Sequence, residues 1–426
     1  MSRQIAADWP GPAAEGPLPL AVLASPNGPN FLAMLLACRQ LGLGAILADS
    51  ATRHNERHRI ASALGAGWVL EAEDGWLPGP AWRTTDSARP APAGADFVKL
   101  TSGSTGEPRG VLTSEEQLLT DEVQLASTME LVPGDVFLAT VPLSHSYGLA
   151  SVALPPLLRD GSLLLPDASD PLGALRALRD GSATVAPTVP AVLSGLVQRR
   201  GELSPSLRRV ISAGAPLPPP TARAFLERFG QPVHVFYGAS ECGGITYDRT
   251  GQSGLDGTLG TRVDGVELTL EGDPDAARVV VRSPAVATGY HPDESQDLSS
   301  GRFLTADLGA LDGDELRLVG RVDDIINVKG KKVHPTTVES ILREAPEVAD
   351  VVVVAHEDGP ETSLRAVVES SGPETFDRAA LLRYCREHLA EHKVPRSLLV
   401  VRRLPRNERG KIDRQALVQL ARREDS

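Results

Sequence analysis

Apolar and polar positions alternate in blocks through the first part of the chain. Residues 18–24 form an apolar run without a polar interruption, the pattern of a strand buried on both faces. The turn-rich segment Ser25-Pro26-Asn27-Gly28-Pro29-Asn30 follows, in which Asn30 is expected to cap a helix that begins at Phe31 and stops near Gly42. A second apolar run at 43–48, a polar helical stretch at about 54–64 and a third run at 68–70 repeat the order. Strand, helix and strand at these lengths predict a parallel α/β layer.

The centre of the chain repeats the pattern. Short β-rich runs at 183–186, 209–212 and 233–236 each end in a loop rich in Gly, Pro or Ser. In parallel sheets such loops gather at the carboxyl ends of the strands, so groups remote in sequence meet there. From 257 to 289 the pattern changes to short alternating strands, as at 266–270 and 278–281, which predicts an antiparallel subdomain. A boundary falls near 320–324. Beyond it lie β-rich runs at 350–355 and 364–368, a helix capped by Asp377 with Leu381, Leu382, Cys385 and Leu389 on one face, and a final strand at 398–401. The expected fold class is therefore α/β. A large amino-terminal domain of mixed and parallel sheets layered with helices spans 1–320, a hinge 321–323, and a small mobile α+β carboxy-terminal domain 324–426.

Composition narrows the partners. A formal charge of −12 over 426 residues argues against nucleic acid, and no run of like charge forms a membrane-binding arm. Arg39, Gln40, Gly42 and Gly44 break the apolar stretch 31–48, so it reads as a buried helix running into a strand, with no membrane insertion. Cys38, Cys242 and Cys385 are too scattered for a disulfide framework or a Cys-rich zinc site, which fits a reducing cytoplasm.

The strongest local signal for chemistry is Thr101-Ser102-Gly103-Ser104-Thr105-Gly106-Glu107-Pro108-Arg109-Gly110-Val111, directly after the largely apolar stretch 97–100. Its glycines free the backbone to curl round an anion, and its hydroxyls and amides donate to phosphate oxygens. The Walker A spacing is absent. Taken alone, a Ser/Gly-rich stretch also reads as a flexible linker.

The loop resembles the signature of the adenylate-forming superfamily, which includes acyl- and aryl-CoA ligases, peptide-synthetase adenylation domains and beetle luciferases. Tyr237-Gly238-Ala239-Ser240-Glu241, Thr305-Ala306-Asp307, Gly320-Arg321-Val322-Asp323-Asp324 and Gly410-Lys411-Ile412-Asp413-Arg414 follow in the family's order. The resemblance implies ATP, Mg2+ and a pantetheine thiol, either CoA or the phosphopantetheine of a carrier protein. It implies that Thr101 to Gly106 and Arg109 grip phosphate, that Ala213, Gly214 and Ala215 border the adenine, and that Asp307 holds the ribose hydroxyls with Arg321 in the same nucleotide site. Tyr237 offers a flat face to the purine beside Gly238, Ser240 bonds a phosphate oxygen, and Glu241 is a hard ligand for Mg2+. Lys411 resembles the catalytic lysine that bridges the acid and the α-phosphate, Asp323 the hinge residue, and Lys329, Gly330 and Lys331 the loop presented to pantetheine.

The run Pro142-Leu143-Ser144-His145-Ser146-Tyr147-Gly148 is similar to the CoA-ligase branch and lacks the aspartate with which amino-acid-activating members pair a substrate ammonium. His145, expected to be catalytic, and Tyr147 then border an acyl or aryl pocket, with Ala213, Gly238, Ala239 and Gly243 leaving room for the acid. Arg109 and Asn327 stand where lysine is usual, and Ala306 where glycine is common. The resemblance lacks the family's first segments before Leu18, which is expected to trim the surface for the CoA nucleotide and keeps a carrier protein open as acceptor. The expected function is ATP-dependent formation of an acyl-adenylate and transfer of its acyl group to a thiol. The alternatives are a stand-alone amino-acid adenylation enzyme and a non-catalytic nucleotide-binding remnant.

Overall fold

The computed structural model describes residues 1–11, 19–75, 79–101, 108–166, 170, 172–199, 201–272, 277–292, 297–328, 331–345, 347–358, 361–406, 412–413, 416–417 and 419–420. The first apolar runs become β1 (Leu20–Ala24), β2 (Gly44–Ala48) and β3 (Ala66–Glu71), and every residue of β1 and β2 is buried. Continuous burial explains why they read as unbroken apolar runs. β1 lies between β2 and β3 and is parallel to both. The connecting helices Pro29–Leu41 and His54–Leu64 both end on a left-handed glycine, Gly42 at φ 68° and Gly65 at φ 74°, which carries no Cβ to strain that geometry.

One expectation is corrected here: Asn30 does not cap the first of these helices. The helix begins at Pro29, whose fixed φ and missing N–H suit the first helical position. Asn30 lies inside it, and its side-chain amide donates to the Asp74 carbonyl at 2.8 Å.

β4 (Ala81–Thr84), β5 (Phe97–Thr101) and β6 (Arg109–Thr113) extend the layer to the order β6-β5-β2-β1-β3-β4, and the short strand Gly289–His291 lies outside β6. Val22, Ile46, Leu64, Val69 and Val98 form its core. A second seven-stranded sheet contains β7 (Val136–Leu138), β8 (Ser162–Leu164), β9 (Val185–Thr188), β10 (Arg209–Ser212), β11 (His234–Ala239), β12 (Gly243–Tyr247) and β13 (Thr261–Arg262), in the order β13-β12-β11-β10-β9-β7-β8. The pairs from β8 to β11 are parallel, whereas β12 turns back antiparallel on β11. Leu138, Leu193, Val210, Phe225 and Val235 fill the space between this sheet and its helices.

The chain divides into two compact units, one of Met1–Leu268, Val280–Phe303 and Gly313–Leu316, the other of Thr269–Val279, Leu304–Asp312 and Arg317–Ser426. Strands Glu267–Glu271, Ala277–Arg282, Arg302–Asp312 and Glu315–Arg321 form a four-stranded sheet in that order. In the second unit Asp350–Asp358 and Glu361–Glu369 make an antiparallel pair, and Ser397–Val401 joins it in parallel. Asp377 caps the helix Arg378–His388 as expected, its Oδ1 accepting from the Ala380 N–H at 2.8 Å. Leu381 and Cys385 of that helix pack with Val338, Leu342, Val353 and Leu364.

Candidate active site

Thr101 and Arg109 face each other where β5 ends and β6 begins, so the hydroxyl-rich segment is the connection of an antiparallel pair. Ser102, Gly103, Ser104, Thr105 and Gly106 lie outside the described residues, as do Lys329, Gly330 and Lys411. The Arg109 guanidinium lies 3.7 Å from the centre of the Tyr290 ring, a cation–π contact. Tyr290 is paired beside β6, opposite Val111, and its hydroxyl donates to Glu241 Oε1 at 3.0 Å. Burial first, and then the Glu241 charge, pushes this phenol above its ordinary range, so it stays the donor.

Glu241 occupies the turn between β11 and β12, where Ala239 and Gly243 are the last paired residues and Ser240, Glu241 and Cys242 make the reversal. The Ala287 N–H donates to the Glu241 carbonyl at 2.8 Å, anchoring the turn from outside the hairpin. The donor set fits Mg2+. A half-buried carboxylate with one oxygen held by Tyr290 supplies a hard ligand, and Mg2+ characteristically takes one or two carboxylates with the rest of its shell from phosphate and water.

Around this turn the first unit gathers other expected residues. Ser240 and Ser146 share a hydrogen bond of 2.7 Å between their hydroxyls. His145 Nε2 lies 2.8 Å from Asp49 Oδ2, and because a carboxylate only accepts, that nitrogen carries the proton. The Tyr147 hydroxyl donates to the Ile211 carbonyl at 3.2 Å, and its ring stacks on Phe236 at 5.6 Å. Tyr237, Gly238 and Ala239 continue β11, and Ala213, Gly214 and Ala215 follow β10, with Ala213 buried and Gly214 at φ 80°. In the second unit, Arg321 donates to Asp307 Oδ1 at 2.6 Å and lies 3.8 Å from Asp323 Oδ2. Thr305 Oγ1 accepts from the Asp307 N–H at 3.0 Å and fixes the backbone at that carboxylate. Lys331 is exposed on the strand Lys331–Val333, which pairs with Ile326–Val328.

Two site residues were not legible as such. Tyr290 and Asp49 reach their partners across 49 and 96 residues, too far for spacing to reveal. Asp49 had one usable signal, its place just past the carboxyl end of a buried parallel strand, where functional groups collect.

Parallel strands ending at one cluster of loops, with the half-buried Glu241 carboxylate among them, suit an enzyme that joins an acid to a nucleotide. The comparisons with known proteins agree. The AMP-binding enzyme family matches residues 74–291, and the AMP-binding enzyme C-terminal domain matches 337–411. A feruloyl-CoA synthase of an Amycolatopsis species is 31% identical, over 97% of this chain and 91% of that protein. O-succinylbenzoate coenzyme A synthetase of Bacillus subtilis, solved with ATP and magnesium ion, superimposes with a TM-score of 0.77 at 25% identity, over 94% of this chain and 89% of that one. The amide bond synthetase McbA of Marinactinospora thermotolerans gives a TM-score of 0.82 at 26% identity, over 96% and 91%. The chain belongs to the AMP-binding enzyme family, and within it to the acid–thiol ligases that form an acyl-adenylate with ATP and Mg2+ and pass the acyl group to a pantetheine thiol.

Proposed function

We propose that the acid activated by this ligase is aromatic and that CoA itself is the acceptor. The observation that carries this reading is the Tyr147–Phe236 stack, a flat apolar wall beside the small residues of the β11–β12 hairpin. A Cβ on Gly238 would come within 2.6 Å of the Gly243 carbonyl oxygen, so the close approach of β12 requires glycine at this point of the hairpin. The feruloyl-CoA synthase likeness supports the same class of acid. A carboxylate oxygen attacks the α-phosphorus and the bond to pyrophosphate breaks. A thiolate then attacks the acyl carbon, and AMP leaves. Glu241 would hold Mg2+, which when bound would draw charge from the phosphate oxygens. Ser240 and Arg109 hold the nucleotide's phosphates, Tyr237 and Ala213 to Ala215 its base, and Asp307 and Arg321 its ribose, while Asp323 serves as the hinge and Lys329 to Lys331 face pantetheine. The setting proposed is the cytoplasm, which suits three free, buried cysteines. No helix among the described residues is long and apolar enough to cross a membrane.

A second reading has an amine as the acceptor, favoured by the likeness to the amide bond synthetase. Hydroxylamine trapping across aryl, fatty and amino acids identifies the acid. CoA, a carrier protein in its pantetheine form and simple amines, offered in turn to the best acid, then identify the acceptor. Hydroxamate from aryl acids and an aryl-CoA product are expected. Trapping confined to amino acids, or product only with carrier protein or amine, would overturn the corresponding half.

Asp307→Ala tests the ribose assignment. Losing a charge-assisted bond to a sugar hydroxyl is expected to lower kcat/KM for ATP by about 10- to 100-fold. Initial rates with ATP and with its 2′-deoxy form should converge in this variant and differ in the parent.

A further inference from the structure

A buried pair of opposite charges lies behind the Glu241 turn. Lys99 is one of six lysines and the only one before residue 329, yet it sits in β5 with 4% of its surface exposed. Asp121 is equally buried, on the inward face of the helix Glu115–Thr128 that also carries Leu118 and Leu125. An apolar residue is the ordinary occupant of such a position. The Ser114–Gln117 capping box fixes where this helix starts, and therefore which face meets β12. Burial pushes the Lys99 ammonium down and the Asp121 carboxyl up, and in each case the partner's charge opposes the shift.

Both side chains bond to the backbone of the same turn, one on each flank of Glu241. Lys99 Nζ donates to the Ser240 carbonyl at 3.3 Å, and Asp121 Oδ1 accepts from the Gly244 N–H at 2.9 Å. Gly243, at φ 71°, lets the carboxylate come this close, since a Cβ there would overlap Asp121 Oδ1. Burying two opposite charges is often no more stabilising than an apolar pair of the same volume, so stability alone does not account for them. An apolar pair cannot make directional bonds to a carbonyl on one flank of Glu241 and to an N–H on the other.

We propose that Lys99 and Asp121 are positioning residues that clamp the Ser240–Gly244 turn and thereby hold the Glu241 carboxylate where it meets the metal–phosphate group. The proposal rests on Glu241 as the Mg2+ ligand. Neither side chain touches substrate. They act through the turn, as outer groups that orient a ligating side chain do in metal sites.

The decisive variant is Lys99→Met with Asp121→Leu, which replaces the pair by apolar residues and leaves no buried charge unpaired. It is expected to melt at or above the parental temperature and to bind ATP normally without metal. Loosening the turn should weaken Mn2+ binding to the complex with a non-hydrolysable ATP analogue, followed by electron paramagnetic resonance, by about tenfold, and raise the half-saturating Mg2+ for pyrophosphate exchange to match. A folded double variant with parental metal affinity and parental kcat overturns the proposal. Should this variant not fold, Lys99→Met with Asp121→Asn keeps an oxygen for the Gly244 N–H and loses only the Ser240 tie. A shift of about threefold is then expected, below the usual range for a full loss of outer support, and an unchanged metal affinity overturns the proposal. Glu241→Gln in the parent separates the two readings. If it leaves Mn2+ affinity unchanged, the assignment of Glu241 fails; if it weakens affinity while the folded pair variants do not, the clamp alone fails.

Discussion

Glu241→Gln is expected to slow acyl-adenylate formation by about 100- to 1000-fold, corresponding to about 3–4 kcal/mol of lost transition-state stabilisation. The substitution keeps the shape of the side chain and leaves a carbonyl oxygen to accept from Tyr290, so the turn between β11 and β12 stays in place. What goes is a negative charge on a hard oxygen at the point where Mg2+ is proposed to meet phosphate. Because the side chain is half-buried at a turn, its loss as a charge should leave the melting temperature within a few degrees of the parent, roughly the range of surface substitutions. The signature is a rate defect that rising Mg2+ partly relieves. Pyrophosphate exchange measured against Mg2+ concentration checks it, and an unchanged Mg2+ requirement would remove Glu241 from the metal site.

Most of what makes this prediction possible was legible in the chain, for physical reasons that differ between elements. Residues of β1 and β2 are buried on both faces, so they read as continuous apolar runs, and the helix between them stops at Gly42 because only glycine takes that left-handed turn without strain. The run 233–236 announced β11, but its continuation through Tyr237, Gly238 and Ala239 did not show. Glycine and alanine carry no strand pattern, and what holds them extended is the antiparallel pairing with β12. The helix begins at Pro29, ahead of the expected cap Asn30, because the proline ring is already set for the first helical position. The support of Glu241 was the least visible part. Tyr290, Lys99 and Asp121 reach it from a distant short strand, from β5 and from a helix, and only the fold brings them together. Lys99 did leave a trace, as a lone charge inside an otherwise apolar strand, which is the pattern of a buried ion with a partner elsewhere.

The carboxy-terminal Lys411 is expected to have an effect of similar size and a different signature. As the carboxylate attacks phosphorus and pyrophosphate departs, two anions are forced together and negative charge accumulates on the leaving group, so a compact ammonium between acid and α-phosphate is worth most in that transition state. Lys411→Ala is therefore expected to lower pyrophosphate exchange by about 100- to 1000-fold while changing ATP affinity less than about threefold. No rise in Mg2+ should relieve the defect, which separates it from Glu241→Gln. The second half-reaction begins from a mixed anhydride whose acyl carbon is neutral, with AMP as an already formed leaving group, so it has little need of this cation. Supplied with synthetic acyl-adenylate and CoA, Lys411→Ala should form thioester within about tenfold of the parent rate, since an interaction made only in the first transition state leaves the second unaffected. Lys411→Arg should recover only part of the exchange activity, because a planar fork cannot occupy the position of a point charge between two anions. Equal losses in both half-reactions would show that Lys411 supports the fold of the second unit and not the adenylation step.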